Sequence, residues 1–168
     1  MPISLNYKFL IVISSILALC SLTLNMALFH LLWLPHEQLP LWGQQSMATH
    51  LFAYSTVAGF VLGWAATRAT RWALRNRRVL PLHWHLKSQT LIDRLPSRTF
   101  NRAFMFALAG FSIASILVLL LSLLQLNYVP FFEFQQLSII YSVCLAGAIT
   151  CMAVYRALGD RIMSHSKV

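Results

Sequence analysis

Hydrophobic and polar positions along this chain of 168 residues fall into four long uncharged runs separated by short polar or proline-bearing stretches. The runs cover about 9–34, 49–67, 103–126 and 135–155, and none contains Lys, Arg, Asp or Glu. About 20 consecutive apolar residues wound as a helix cross a hydrocarbon core roughly 30 Å thick. The pattern therefore predicts an all-α membrane protein, a four-transmembrane-helix bundle in one membrane domain spanning 1–168. The first run far exceeds the roughly 7–15 apolar residues of a secretory signal peptide and reads as a retained helix. Leu17 to Cys20 has the outline of a lipoprotein box, but Leu19 stands where processing needs a small residue.

The connections carry their own signals. Pro35, Pro40 and Gly43 break the first loop. The second helix is expected to run beyond Thr67, with Arg71, Arg75 and Arg78 at i, i+4 and i+7 on one face, until Pro81 stops it. A short interfacial helix is expected over 88–95, with Leu91, Ile92 and Leu95 toward lipid and Lys87, Asp93 and Arg94 toward water. Ser97 is a candidate N-cap for the third helix. Tyr128 to Pro130 forms a tight return.

Composition agrees with the pattern. The chain is 58% hydrophobic and 10% charged, with a mean hydropathy of +0.67, against about 25% charged residues in soluble domains. The formal charge of +9 would suggest nucleic acid in a soluble protein. Here the basic residues flank apolar runs, and no aromatic–basic platform or helix-turn-helix pattern accompanies them, so no nucleic-acid partner is expected. The segment from Arg68 to Arg102 holds nine Lys or Arg, the amino end one and the tail three, while the two outer loops hold none. The positive-inside rule then makes 68–102 a cytoplasmic basic loop and puts both termini in the cytoplasm, with a bacterial inner membrane the best fit. Cys20, Cys144 and Cys151 all fall within apolar runs with no C-x-x-C pair, which argues against a disulfide framework and suggests small packing residues.

The two halves correspond. Each has an outgoing helix, a proline-bearing turn, a Gln pair (Gln44 and Gln45; Gln135 and Gln136) and a returning helix. Tyr54 and Ser55 match Tyr141 and Ser142 in depth. This fits two parallel helical-hairpin repeats, although any two membrane hairpins share polarity and proline turns. Small residues recur at intervals of four on the returning helices: Ser55, Gly59, Gly63 and Thr67 on the second, and Ser138, Ser142, Ala146 and Thr150 on the fourth. Such stripes let helix backbones approach closely. They serve either packing between helices two and four or docking with a second copy or a partner's helix.

Candidate chemistry is sparse. His30 and His50 both sit near outer helix ends and are the only haem-ligand candidates, although no third or fourth metal ligand is apparent. His83 and His85, at alternate positions around Trp84, invite a metal reading but suit an interfacial anchor better. The acids Glu37, Asp93, Glu133 and Asp160 all lie outside the runs, and no two are close in sequence. That leaves no catalytic set and no intramembrane carboxylate for proton coupling. Asn25, Gln125 and Asn127 are the strong polar residues within or beside the runs. Arg68, Arg71, Arg75, Arg77 and Arg78 suit anionic lipid headgroups, and equally a cytoplasmic docking site for an acidic partner.

In size and topology alone the chain resembles small membrane-embedded immunity proteins and small accessory subunits of inner-membrane complexes. The resulting expectation is a non-enzymatic protein without a cofactor, acting through helix–helix contact with a membrane partner. The alternatives are a small permease or channel working as a homo-oligomer, and a haem-bearing redox subunit.

Overall fold

A computed structural model describes residues 5–32, 38–43, 45–80 and 95–160. The expected interfacial helix lies outside the described residues except for Leu95, as do His83, His85, Glu37, Asp93, Gln44 and the tail after Asp160. Four long helices form an all-α fold: α1 (Leu5–Leu32), α2 (Met47–Arg75), α3 (Thr99–Leu123) and α4 (Phe131–Leu158). Two three-residue strands, β1 (Gln38–Pro40) and β2 (Tyr128–Pro130), join the loops at one end. Among the described residues, three helices (α1, α3 and α4) are long and apolar enough to cross a membrane.

The helix limits follow from local chemistry. Ser46 caps α2, its hydroxyl accepting the Thr49 N–H at 3.2 Å, an arrangement worth about 1 kcal/mol. The expected continuation of α2 to Pro81 does not occur. The helix ends at Arg75, Asn76 caps it, and Arg77 enters the left-handed region with φ 52°. Arg78 therefore leaves the helical face it was expected to share with Arg71 and Arg75, and its guanidinium lies 4.9 Å from the centroid of the Trp72 ring. Ser97 is not the N-cap of α3. That position belongs to Arg98, which makes no side-chain cap.

α2 is the central helix. It packs most extensively on α3 and also on α4 and α1, while α1 lies mainly against α4. Enclosure on three sides explains why α2 is less apolar than its neighbours: His50, Ser55, Thr67 and Thr70 point into protein rather than lipid. β1 and β2 pair antiparallel around Leu39 opposite Val129. The Leu41 N–H donates to the Asn127 carbonyl at 2.8 Å, and Leu39 and Leu41 are fully buried, so the ribbon plugs this end of the bundle. One apolar cluster beneath it gathers Phe29, Met47, Leu51, Val118 and Phe134. A second, toward the other end, gathers Leu17, Leu62, Phe106, Ile149 and Val154.

Candidate functional site

Between the two apolar clusters lies a layer of buried polar side chains from α1, α2 and α4. His50 Nε2 is 3.0 Å from Asn25 Oδ1, and the Ser138 hydroxyl donates to the same oxygen at 2.9 Å. The Ser138 hydroxyl also stands 3.4 Å from His50 Nε2. Ser21 and Tyr54 share a hydroxyl–hydroxyl bond of 2.5 Å, and Ser21 reaches the Ser142 carbonyl at 3.2 Å. Ser55 and Tyr141 share another of 2.7 Å. Phe29 covers the His50 ring with centroids 4.1 Å apart. The layer is largely closed to solvent and joins α1, α2 and α4 by hydrogen bonds. Asn25→Leu would remove the amide oxygen that His50 and the Ser138 hydroxyl both contact. It is expected to cost about 1–2 kcal/mol in detergent unfolding, and a loss below about 0.5 kcal/mol would mean that the layer contributes packing alone.

His30 and His50 do not face each other: His30 is exposed, whereas His50 is fully buried and bonded to Asn25. Consecutive helical positions diverge by about 100°, so Phe29 turns inward and His30 outward. The geometry offers no bis-histidine site for haem. No group of three or more His, Cys, Asp or Glu that could hold a metal occurs among the described residues.

The small-residue stripes are buried, but not in the expected pairing. Gly59 and Gly63 meet α3, not α4: a Cβ on Gly59 would lie 2.5 Å from the Phe106 carbonyl oxygen, and one on Gly63 2.6 Å from the Phe106 ring. Ser55 shares this contact, since a Cβ on Gly110 would come within 2.5 Å of its carbonyl oxygen. Thr67 continues the buried face. The reason lies in α3, where Ala103, Ala107, Gly110 and Ala114 form a complementary small face, also buried. On α4, Ser138 and Ser142 are engaged by Asn25 and Ser21 of α1, with Ala146 and Thr150 buried beyond them. Cys20, Cys144 and Cys151 are free thiols on outer helix surfaces, not internal packing residues.

A second cluster closes the opposite end, around Asp160. Its carboxylate accepts Arg71 Nε and Nη2 at 2.9 and 2.6 Å, Arg102 Nη2 at 2.8 and 3.1 Å, and Arg156 Nη1 at 2.9 Å. The same arginines hold the chain before α3: Arg71 donates to the Ser97 carbonyl, Arg102 to that of Pro96 and Arg156 to that of Leu95. Of the five arginines from Arg68 to Arg78, only Arg71 turns inward, and the other four are exposed. Arg102 is completely buried, with Nη1 unpaired among the described residues. Sequence reasoning missed Asp160 as a hub, because its partners stand 4, 58 and 89 residues away. Compared with family models, with curated proteins and with solved structures, the chain finds no match.

Proposed function

We propose that the chain is a non-enzymatic membrane protein of four spans, and that it acts by helix contact with a second membrane protein, as an accessory subunit or an immunity-type inhibitor would. α2 is read as the fourth span because it is sheathed by the other three helices and presents only a narrow face, including Val57, Val61 and Trp64, to the outside. The arginines following it favour a cytoplasmic location for that end and for both termini, in a bacterial inner membrane. The antiparallel ribbon suits two hairpin repeats related by an axis through Leu39 and Val129. So does the parallel between Gly110 at the Ser55 carbonyl and Ser21 at the Ser142 carbonyl.

Gly147 carries the reading. A Cβ there would meet nothing within 4 Å, whereas Gly59, Gly63 and Gly110 are all filled by α2–α3 packing. Cys144, Ala148 and Cys151 lie beside Gly147 on an exposed face of α4 that also carries Ile140 and Val143. A mid-helix glycine costs up to about 1 kcal/mol relative to alanine, and lipid gains nothing from the missing methyl. A foreign helix that must approach closely does gain.

Purification from native membranes in mild detergent, followed by mass spectrometry of co-eluting proteins, is expected to find a stoichiometric membrane partner. Gly147→Leu should remove that partner while leaving insertion and thermal unfolding unchanged. Undiminished capture by this variant would sink the proposed contact face. Recovery of a homo-oligomer alone would move the weight to the small-permease reading.

A further inference from the structure

The arginine-bearing end contains a cavity of about 380 Å³ lined by Arg68, Ala69, Arg71, Trp72, Arg75 and Thr99. Its charge is unbalanced. Arg71 shares Asp160 with Arg102 and Arg156, while Arg68 and Arg75 have no acidic partner among the described residues. Among the described residues, five guanidinium groups in and behind the cavity thus stand against one carboxylate, which pairs with three of them. Thr99 begins α3, a helix of 25 residues with no side-chain N-cap and no acid in its first turn. Its first amides therefore have no side-chain cap, and the positive end of its dipole favours an anion. The next turn lines a second, mainly apolar groove of about 390 Å³, formed by Pro96, Phe100, Asn101, Phe104 and Met105. A cationic cavity and an apolar groove thus flank the first turn of a helix apolar enough to span a membrane.

We propose that this cavity holds the phosphate of an anionic phospholipid, with an acyl chain lying along the Phe100–Phe104 groove. Guanidinium forks suit phosphate oxygens geometrically as well as by charge. Trp72 stands at the cavity edge with Arg78 over its ring, in keeping with an indole at headgroup level. The apolar groove is what distinguishes a lipid from free phosphate, which would use only the cationic half. This inference does not depend on the partner proposed for the Gly147 face.

The test is native mass spectrometry of the purified full chain, titrated separately with phosphatidylglycerol, phosphatidylcholine and inorganic phosphate. The wild type should retain one phosphatidylglycerol under conditions that strip phosphatidylcholine. Arg68→Gln with Arg75→Gln, both exposed and outside the Asp160 cluster, should weaken that retention roughly thirtyfold. Arg77→Gln with Arg98→Gln removes the same formal charge outside the cavity and should leave it unchanged. Equal losses in the two double variants would overturn the proposal, showing a diffuse charge effect. So would equal retention of the two lipids, or tight binding of inorganic phosphate without selective retention of lipid.

Discussion

Asp160→Asn is expected to destabilise the protein by about 3–5 kcal/mol, the usual result of removing one partner from a buried ion pair. The substitution preserves shape but leaves three guanidinium groups without a counter-ion. The figure belongs chiefly to Arg102, whose side chain is 0% exposed, since Arg71 at 27% is partly screened by solvent. Arg102 would remain buried, charged and repelled by its two neighbours. The damage would spread, because the cluster ties the end of α2, the segment 95–97, the start of α3 and the end of α4 together. Tryptophan-monitored denaturation in detergent measures the effect, and Glu133→Gln on the exposed first turn of α4 is the control. Arg102→Met added to Asp160→Asn should recover much of the loss, since it removes the stranded charge. If Asp160→Asn unfolds no more easily than Glu133→Gln, the cluster is a surface feature with little structural weight.

The helices were legible in the sequence to the extent that each apolar run acts locally. The runs at 9–34, 103–126 and 135–155 correspond to helices 5–32, 99–123 and 131–158. Each helix starts four residues before its run, while α3 ends three residues short of its run, before the left-handed turn at Gln125, and α4 ends three residues beyond. The early end of α2 was not legible: Pro81 was the conspicuous breaker, yet the left-handed turn at Arg77 comes first. Partner choice was less legible still. A stripe of small residues tells that a face admits close approach but not which helix arrives. Gly59 and Gly63 therefore read as well against α4 as against α3, although the Ala103, Ala107, Gly110 and Ala114 face was available as a signal. The buried layer was half visible. Ser138, Ser142, Ser55 and His50 were singled out, but their joining by Asn25 and Tyr141 depends on the way α1 and α4 dock. Asp160 looked like one acid in a short polar tail, because its role arises only when three helix ends converge.

Alanine at Gly59 is expected to be among the most disruptive single-methyl additions in the chain, and the contrast among glycines tests the α2–α3 contact directly. The added Cβ would lie 2.5 Å from the Phe106 carbonyl oxygen and 2.9 Å from the Ala107 Cα. Both are backbone atoms in the middle of a helix, so no rotamer change relieves the clash and the two helices must separate. Gly110→Ala meets the Ser55 carbonyl at the same 2.5 Å and should behave alike. Gly63→Ala meets the Phe106 ring, a side chain that can turn, so its cost should fall within the usual overpacking range of about 1–3 kcal/mol. Gly59→Ala and Gly110→Ala should exceed that range, and Gly59→Leu should leave no folded protein to purify. Gly147→Ala, with open space around its Cβ, should be neutral or stabilising by up to about 1 kcal/mol through helix propensity. The same denaturation assay ranks all four alanine variants. If Gly59→Ala proves as benign as Gly147→Ala, the close α2–α3 approach is wrong, and the small face of α2 becomes available for an outside helix. If the ranking holds, that face is filled from within, and a loss of partner capture by Gly147→Leu can be assigned to contact rather than misfolding.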